Sequence, residues 1–236
     1  MRYKRDSFLI EGKKNTLDAI QAGQEISSVY FSDQAAGQYL AEIIEQAEQN
    51  AINLVRIPES DLEDVSTLVN PEGVLSIGKI GKTEGWNGKL SGQALYLYRI
   101  NDPGNLGTIL RTAAWFGLEN ILLSSGSVDP YNPKVVRAAM GGLFHVNVFR
   151  NVDFQQIQNI NKYQLIAADM SGQSIQKREQ LPENFILCLG SESHGLPSKI
   201  MEATALTLSI PKKGKGESLN LAVSAAIMIK DLMLSS

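Results

Sequence analysis

The sequence predicts an α/β protein with two units, and three observations lead to that class. Short apolar segments alternate with amphipathic ones along the chain, an order typical of strands that are followed by helices. A glycine-rich stretch at 81–92 interrupts the alternation once, which predicts a linker between a small domain at 1–80 and a larger domain at 93–236. Several segments after the linker are continuously apolar, as in strands of a parallel sheet that is covered on both faces.

The first unit is predicted to contain four strands and three helices. The strands are expected at SFLI, SSVYFS, NLVRIP and GVLSIGKI. The helices are expected at KKNTLDAIQAG, which stops at Gly23, at DQAAGQYLAEIIEQAEQN, and at ESDLEDVSTL after Pro58. A compact α/β domain of about 80 residues is within the usual size range.

The second unit continues the alternation with six apolar strands. These are ALYLYRI, NILLSS, HVNVF, QLIAAD, FILCLGS and ALTLSI. Between or after them, helices are expected after Asp102, at NPKVVRAAM, around Phe154, and at SLNLAVSAAIMIKDLM. In sheets of this kind, ligands bind where the strands end and the loops begin.

Charge and composition exclude several classes of protein. The net charge of −3 divides unevenly, because residues 15–75 hold eleven acidic residues and one basic residue, whereas 76–236 hold sixteen basic and twelve acidic. An acidic partner is therefore expected to meet the N-terminal tail and the C-terminal part of the chain; the acidic residues of 15–75 can equally be solvated helix faces. One cysteine and two histidines provide neither a disulfide framework nor a zinc cluster. The lone Cys188, and the absence of a long apolar run or signal peptide, predict a cytoplasmic protein.

Three stretches at predicted strand ends contain the polar residues of interest. The first, NDPGNLGTILRTAAWFG, begins as a turn and continues as a helix that carries Asn105 and Arg111. Their separation is close to two turns, so both can face one side. The second, LGSESHGLP, places Glu192 in a turn after a strand. The third, SIPKKGKGESLNLAVSAA, places Ser218 and Asn220 at a helix start, where Ser218 is expected to be the N-cap.

Each residue has a purely structural explanation when it is taken alone. Ser218 can be only a cap, Glu192 only a turn carboxylate, and Arg111 only a side chain that extends from an apolar face to water. Lysines 212, 213 and 215 can be a solvated loop. The functional interpretation depends on the three stretches occurring together and in this order.

In that order, the stretches resemble the three motifs of the SpoU (TrmH-type) RNA ribose 2′-O-methyltransferases of the SPOUT superfamily. The segment DPYNPKVVRAAMGGLFHV is also similar to that family, and the resemblance covers about Leu95 to Leu234. The segments FLIEGKKNTLDAI and NPEGVLSIGK resemble the ribosomal-protein-like RNA-binding domain that precedes many such enzymes, although the acidic character of this unit departs from that pattern.

The resemblance implies a parallel-sheet catalytic domain with a deep trefoil knot, which periodicity could not have predicted. It implies S-adenosylmethionine as cofactor, held mainly by backbone groups of Gly190, Ile210 and Leu219, with Leu189, Leu196 and Ala168 expected around the adenine. No metal is implied. The family also implies a homodimer formed through the closing helix, whose apolar residues occur nearly all round.

The functional polar residues that the resemblance implies are Asn105, Arg111, Glu192, Ser218 and Asn220. A guanidinium is a poor base in proteins, so Arg111 is expected to bind a phosphate beside the target ribose and to stabilise developing negative charge. Glu192 is expected to orient polar groups or relay the proton, and Ser218 and Asn220 to position the hydroxyl and the donor. His194 is expected to be only a loop residue.

The expected activity is methyl transfer to a ribose 2′-hydroxyl of structured RNA, with ribosomal RNA favoured over tRNA by analogy. Two alternatives are a non-catalytic RNA-binding or ribosome-assembly factor that retains the fold, and methylation of a base instead of the ribose.

Overall fold

The computed structural model describes residues 6–35, 37–81, 86, 88–158, 160–177 and 182–234. The first unit contains a four-stranded sheet in the order β1-β4-β2-β3. Its elements are β1 (Ser7–Glu11), α1 (Lys13–Gln21), β2 (Ile26–Phe31), α2 (Gln38–Gln49), β3 (Asn53–Arg56), α3 (Glu59–Val65) and β4 (Val74–Lys79). Strand β4 pairs antiparallel with β1 and β2, whereas β2 and β3 are parallel.

The second unit is built on a six-stranded, fully parallel sheet in the order β10-β8-β9-β5-β6-β7. Its strands are β5 (Ala94–Leu97), β6 (Asn120–Leu123), β7 (Asn147–Phe149), β8 (Gln164–Ser174), β9 (Phe185–Leu189) and β10 (Leu206–Ser209). Its helices are α4 (Pro103–Phe116), α5 (Pro133–Ala139), α6 (Phe154–Gln158), α7 (Ser198–Ala203) and α8 (Leu221–Met233), with 3₁₀ turns at Gly142–His145 and Ile175–Lys177.

The central strands are buried on both faces, as the continuous apolar runs predict. All four residues of β5 and of β6 and all five of β9 are buried. Two hydrophobic clusters cover the opposite faces of this sheet. Cys188 of β9 is fully buried in one of them, and burial raises the pKa of its thiol to about 12. Cys188 is therefore a core residue, as expected.

Helix α4 begins and ends with strong local signals. The side chain of Asp102 caps it by accepting a hydrogen bond from the Asn105 amide at 2.7 Å, and Pro103 occupies its first turn. Gly117 ends it in the left-handed conformation, with φ of 73°. In its middle, a Cβ added to Gly107 would lie 2.4 Å from the Cβ of Ala138 in α5. The two helices therefore pack closely because residue 107 has no side chain.

A buried carboxylate joins the two units. Glu11 at the end of β1 is 2% exposed, and its Oε2 accepts a hydrogen bond from Arg137 of α5 at 2.6 Å. Ser66 and Thr67 also donate to this carboxylate, at 2.6–2.8 Å. Burial alone would raise the pKa of Glu11, but these hydrogen bonds and the Arg137 charge hold it below its ordinary value. Beside this junction the rings of Phe8 and Tyr131 lie 4.7 Å apart.

The structure refines several sequence predictions. Strand β8 continues through Ser174, well beyond the predicted QLIAAD segment, and the short helix α7 was not predicted. Part of the predicted linker, residues 82–85 and 87, lies outside the described residues. Trp86 is buried in the hydrophobic cluster that contains Cys188, which we call the second hydrophobic cluster. Its indole donates a hydrogen bond to the carbonyl of Lys89. The domain boundaries at 80 and 93 and the knot stay predictions. No helix within the described ranges is long and apolar enough to cross a membrane.

Candidate active site

A cavity lies at the carboxyl edge of the parallel sheet, where β9 and β10 end beside the middle of β8. Its volume is about 660 Å³, within the usual range of small-molecule sites. The second and third motifs supply most of its wall, and the middle of β8, Leu208 of β10 and Met228 of α8 supply the rest. Five of the six residues predicted to bind the cofactor line it, namely Ala168, Leu189, Gly190, Ile210 and Leu219.

Gly190 makes possible the sharp turn that closes one side of this cavity. A Cβ at this position would lie 2.0 Å from the carbonyl carbon of Gly195, so only glycine fits. Ser191 and Gly195 exchange two backbone hydrogen bonds, and Gly195 has a φ of 64°. The resulting tight loop presents Glu192 at the cavity, while His194 is exposed at the loop tip, as expected.

The three motifs meet in one chain of side-chain hydrogen bonds. Asn105 Nδ2 donates to Glu192 Oε1 at 3.0 Å, and Asn220 Nδ2 donates to Asn105 Oδ1 at 2.9 Å. Glu192 and Asn220 are 87 and 115 positions away from Asn105 in the sequence, and the fold brings both into direct contact with it. Glu192 and Asn220 also line the cavity, so this chain borders the space in which a ligand would bind.

Helix α8 sets the direction of these bonds. Asn220 is its N-cap, and the side-chain Oδ1 of Asn220 accepts from the amides of Ala222 and Val223 at 2.8 and 3.3 Å. The carboxamide therefore has only its nitrogen available for Asn105. Asn105 must then accept through its oxygen and donate through its nitrogen to Glu192.

The predicted cap at Ser218 is wrong, because the helix begins two residues later than expected. Ser218 lies in the exposed loop before Asn220 and lines the cavity. Both serine and asparagine are good caps, and here asparagine has that position. The hydroxyl of Ser218 is left on the cavity side of the loop.

The structure does not bring Arg111 to the cavity or to the Asn105 chain. A residue six positions further along an α-helix points roughly 120° away from the first one. The expectation that Asn105 and Arg111 face one side is therefore wrong. The side chain of Arg111 is exposed and forms no hydrogen bond or ion pair with any residue that the structure describes. Leu196 is also absent from the cavity wall and packs against the second hydrophobic cluster.

The cavity suits a ligand that is recognised through backbone groups. No hydrogen bond from another described residue occupies the main chain of residues 212–219, so its amides and carbonyls are available. Apolar side chains such as Leu189, Ile210 and Met228 provide a surface for a flat ring. Carboxylates can meet the positive charges of S-adenosylmethionine, and the residues present therefore fit that group.

Two of these carboxylates were not among the sequence candidates. Asp169 follows Ala168 at the cavity, and its Oδ1 accepts from both the amide and the hydroxyl of Ser171. Glu217 precedes Ser218 in the basic loop. Asp169 could have been found by the same rule that selected Ala168, because it is the last residue of the predicted QLIAAD strand. Within the described ranges, no three His, Cys, Asp or Glu side chains form a potential metal site.

Two family profiles match the chain, and together they cover most of it. Residues 92–230 match the SpoU rRNA Methylase family. Residues 9–79 match the substrate-binding domain of RNA 2′-O ribose methyltransferases. The two matched ranges correspond to the two sheets.

Individual relatives are similar along the same ranges. The 23S rRNA (guanosine(2553)-2′-O)-methyltransferase RlmP of Bacillus subtilis is 29% identical over 98% of this chain and 90% of its own length. The mitochondrial rRNA methyltransferase 3 of Mus musculus is 34% identical over 67% of this chain, but the match covers only 38% of that protein. An AdoMet-bound rRNA methyltransferase from Sinorhizobium meliloti is 27% identical, with a TM-score of 0.83 over 100% of this chain and 90% of its own.

The matching profile, the parallel sheet and the meeting of three separated motifs at one cavity agree on one assignment. The chain belongs to the SpoU rRNA methylase family.

Proposed function

We propose that this protein transfers the methyl group of S-adenosylmethionine to the 2′-hydroxyl of a ribose in ribosomal RNA. The hydrogen-bonded chain of Glu192, Asn105 and Asn220 beside the cavity is the observation that carries the proposal. The family profiles and the names of the relatives support the choice of RNA and ribose. We also propose 1–80 as the substrate-binding domain and 93–236 as the knotted catalytic domain.

The cofactor supplies an electrophilic methyl group on a sulfonium, which needs no further activation. In such a transfer a bond to the 2′-oxygen would replace the C–S bond and release S-adenosylhomocysteine, and the hydroxyl proton would have to leave as the new bond forms. Glu192 has its Oε2 available to accept a hydrogen bond from the hydroxyl and to pass the proton to water. Backbone groups of Gly190, Ile210 and Leu219 would hold the donor in line with the attacking oxygen.

The other motif residues have distinct proposed roles. Asn105 and Asn220 orient Glu192, because their amide groups are committed to each other and to the helix cap. Ser218 is placed to contact the donor or the hydroxyl. Arg111 is charged and exposed, which suits a phosphate contact beside the target ribose. The geometry does not support Arg111 as a base that acts from within the cavity.

We further propose that the protein is a cytoplasmic homodimer formed through α4 and α8. These helices pack together, and α4, α8 and the loop before α8 leave apolar side chains exposed. Trp115 is 84% exposed, and Leu219 and Val223 are about half exposed. A face of this kind on a stable protein is typical of an interface.

The function is tested with radiolabelled S-adenosylmethionine and ribosomal RNA from cells that lack the protein. We expect label to enter this RNA and to be recovered in nuclease-resistant dinucleotides, which ribose methylation produces. RNA from cells that contain the protein is the matched control and should accept little label. Label in ordinary mononucleotides would indicate base methylation, and the absence of transfer would contradict the proposal.

A further inference from the structure

A second, smaller pocket lies on the same edge of the parallel sheet, after strands β6 and β7. Its volume is about 290 Å³. Five polar side chains line it, from the loop after β6 and from the end of β7: Ser124, Ser127, Asp129, Arg150 and Asn151. We call it the edge pocket. None of the three family motifs contributes to its wall.

The edge pocket combines hydrogen-bond donors with one carboxylate. Arg150 and Asn151 bring a guanidinium and an amide, and Ser127 brings a hydroxyl. Ser124 has a structural role, since its hydroxyl accepts from the Arg99 amide at 2.8 Å and so joins the loops after β5 and β6. Asp129 Oδ1 accepts from the Tyr131 amide at 3.0 Å. A simple anion would be repelled by Asp129, whereas a ligand with both a phosphate and hydroxyl or amino groups suits the whole set.

The backbone on either side of the pocket is held in an unusual conformation. Arg99 and Asn151 have φ values of 50° and 55°, which non-glycine residues rarely adopt. The side chain of Arg99 runs along the same loop, because a Cβ at Gly126 would lie 3.8 Å from Arg99 Cγ. Two arginines therefore border this part of the edge.

The strand order sets the distance from the edge pocket to the candidate active site. Glu192 and Asn105 follow β9 and β5, and the pocket follows β6 and β7, in the order β9-β5-β6-β7. Neighbouring strands lie about 4.8 Å apart, so the pocket is on the order of 10 Å along the edge from those residues. A neighbouring nucleotide of an extended RNA strand can span this separation.

We propose that the edge pocket binds the sugar-phosphate of a nucleotide adjacent to the methylated one, with Arg150 donating to the phosphate. Asp129 then accepts a hydrogen bond from a 2′-hydroxyl or a base amino group, which a free phosphate ion does not have. Sequence-specific recognition of RNA usually involves splayed single-stranded nucleotides of this kind. This inference rests on the proposed function, because it assigns a second part of the same RNA substrate.

The test compares Arg150→Gln with Lys162→Gln, using ribosomal RNA from cells that lack the protein. Lys162 is exposed in the turn before β8, at the opposite edge of the sheet, and its replacement removes the same charge. For Arg150→Gln we expect the KM for RNA to rise about tenfold with kcat little changed. The slope of log affinity against log salt should decrease by roughly one. Lys162→Gln should match the wild type in both.

Binding of S-adenosylhomocysteine by calorimetry shows whether each variant is folded. An unchanged KM and salt slope in folded Arg150→Gln would overturn the inference, as would an equal loss in Lys162→Gln. If the wild-type protein transferred no methyl group, that result would contradict the proposed function, and no KM could be compared. Filter binding of the same RNA to the same variants would then still decide whether the edge pocket binds RNA.

Discussion

Asn220 connects the stability of helix α8 with the geometry of the candidate active site. Its oxygen caps the helix and its nitrogen orients Asn105. These two tasks use different atoms, so they can be separated by substitution. Serine can perform the first task but not the second.

We therefore expect Asn220→Ala and Asn220→Ser to differ in stability but not in activity. Asn220→Ala should lower the free energy of unfolding by about 1 kcal/mol, and Asn220→Ser by a few tenths. Both should lower kcat substantially, because Asn105 loses the donor that sets its orientation. Denaturant unfolding and single-turnover methylation measure the two effects. Full activity in Asn220→Ser would show that the hydrogen-bond chain does not matter for transfer.

Arg111 gives the second prediction at this scale. Arg111→Ala should lower the rate of transfer at subsaturating RNA by a factor of about 10, as expected when one charge-assisted phosphate contact is lost. Its exposed position outside the cavity predicts that affinity for S-adenosylhomocysteine stays within about twofold of the wild type, measured by calorimetry. Arg111→Lys retains the charge but loses the planar fork, and it should recover only part of the rate. Wild-type turnover in Arg111→Ala would remove this residue from the mechanism.

At the scale of elements, the junction between β1, the end of α3 and α5 is the feature with the clearest energetic consequence. The Glu11 carboxylate accepts hydrogen bonds from Ser66, Thr67 and Arg137 while it is almost fully buried. Its pKa is lower in the folded protein than its ordinary value of 4.5. The charged form therefore contributes stability above the unfolded pKa, and this contribution is lost as pH falls through the folded pKa.

Glu11→Gln should lower the free energy of unfolding by about 2–3 kcal/mol at pH 7, because the buried donors lose a charged acceptor. The difference from the wild type should shrink as pH falls below about 4.5, because the carboxyl of the unfolded wild-type chain is protonated first and the folded carboxyl follows at its lower pKa. Urea unfolding at pH 7 and pH 3.5 measures both values. Glu48→Gln, on the exposed face of α2, is the control and should change neither. A difference that stays constant with pH would contradict this account of the junction.

The elements also show what sequence patterns can and cannot predict. Apolar runs such as FILCL specify buried strands because no polar residue interrupts them, and the three motifs were correctly placed at strand ends. The contact between Asn105 and Asn220 depends on packing across 115 positions, which periodicity does not encode. The Ser218 cap was mispredicted because Asn220 is an equally good local signal. Nothing in the sequence separated Glu11 from an ordinary exposed glutamate at a strand end.

For the whole molecule, the distribution of charge favours RNA contact along the catalytic edge. In the first unit, Lys14, Arg56 and Lys79 each form an ion pair with a carboxylate. In the second unit, the exposed Arg99 closely follows β5, and Lys212 and Lys213 of the loop before α8 line the cavity at the carboxyl edge. Phosphates attract such exposed cations most strongly at low salt.

The uncovered apolar side chains of α4 and α8 lead to a prediction about the assembly. Ala222, Ala225 and Ile229 of α8 are buried within one chain, whereas Val223 and Trp115 remain exposed. Trp115→Glu should place a charge in the proposed interface and convert a dimer into a monomer at micromolar concentration, as measured by sedimentation. Val69→Glu is the matched control, since Val69 is 96% exposed in the first unit. A wild-type protein that sediments as a monomer would contradict the proposed dimer.

The close packing of residue 107 against α5 has a further consequence when it is combined with the Glu11 junction. Helix α5 contacts α4, which carries Asn105, and also holds β1 of the substrate-binding unit through Arg137. In the proposed complex, these two contacts would hold the RNA-binding surfaces of the two units at one separation. An RNA whose fold spaces the recognised element and the target ribose differently would have to bend to be modified, and substrate choice would follow from RNA shape as much as from sequence.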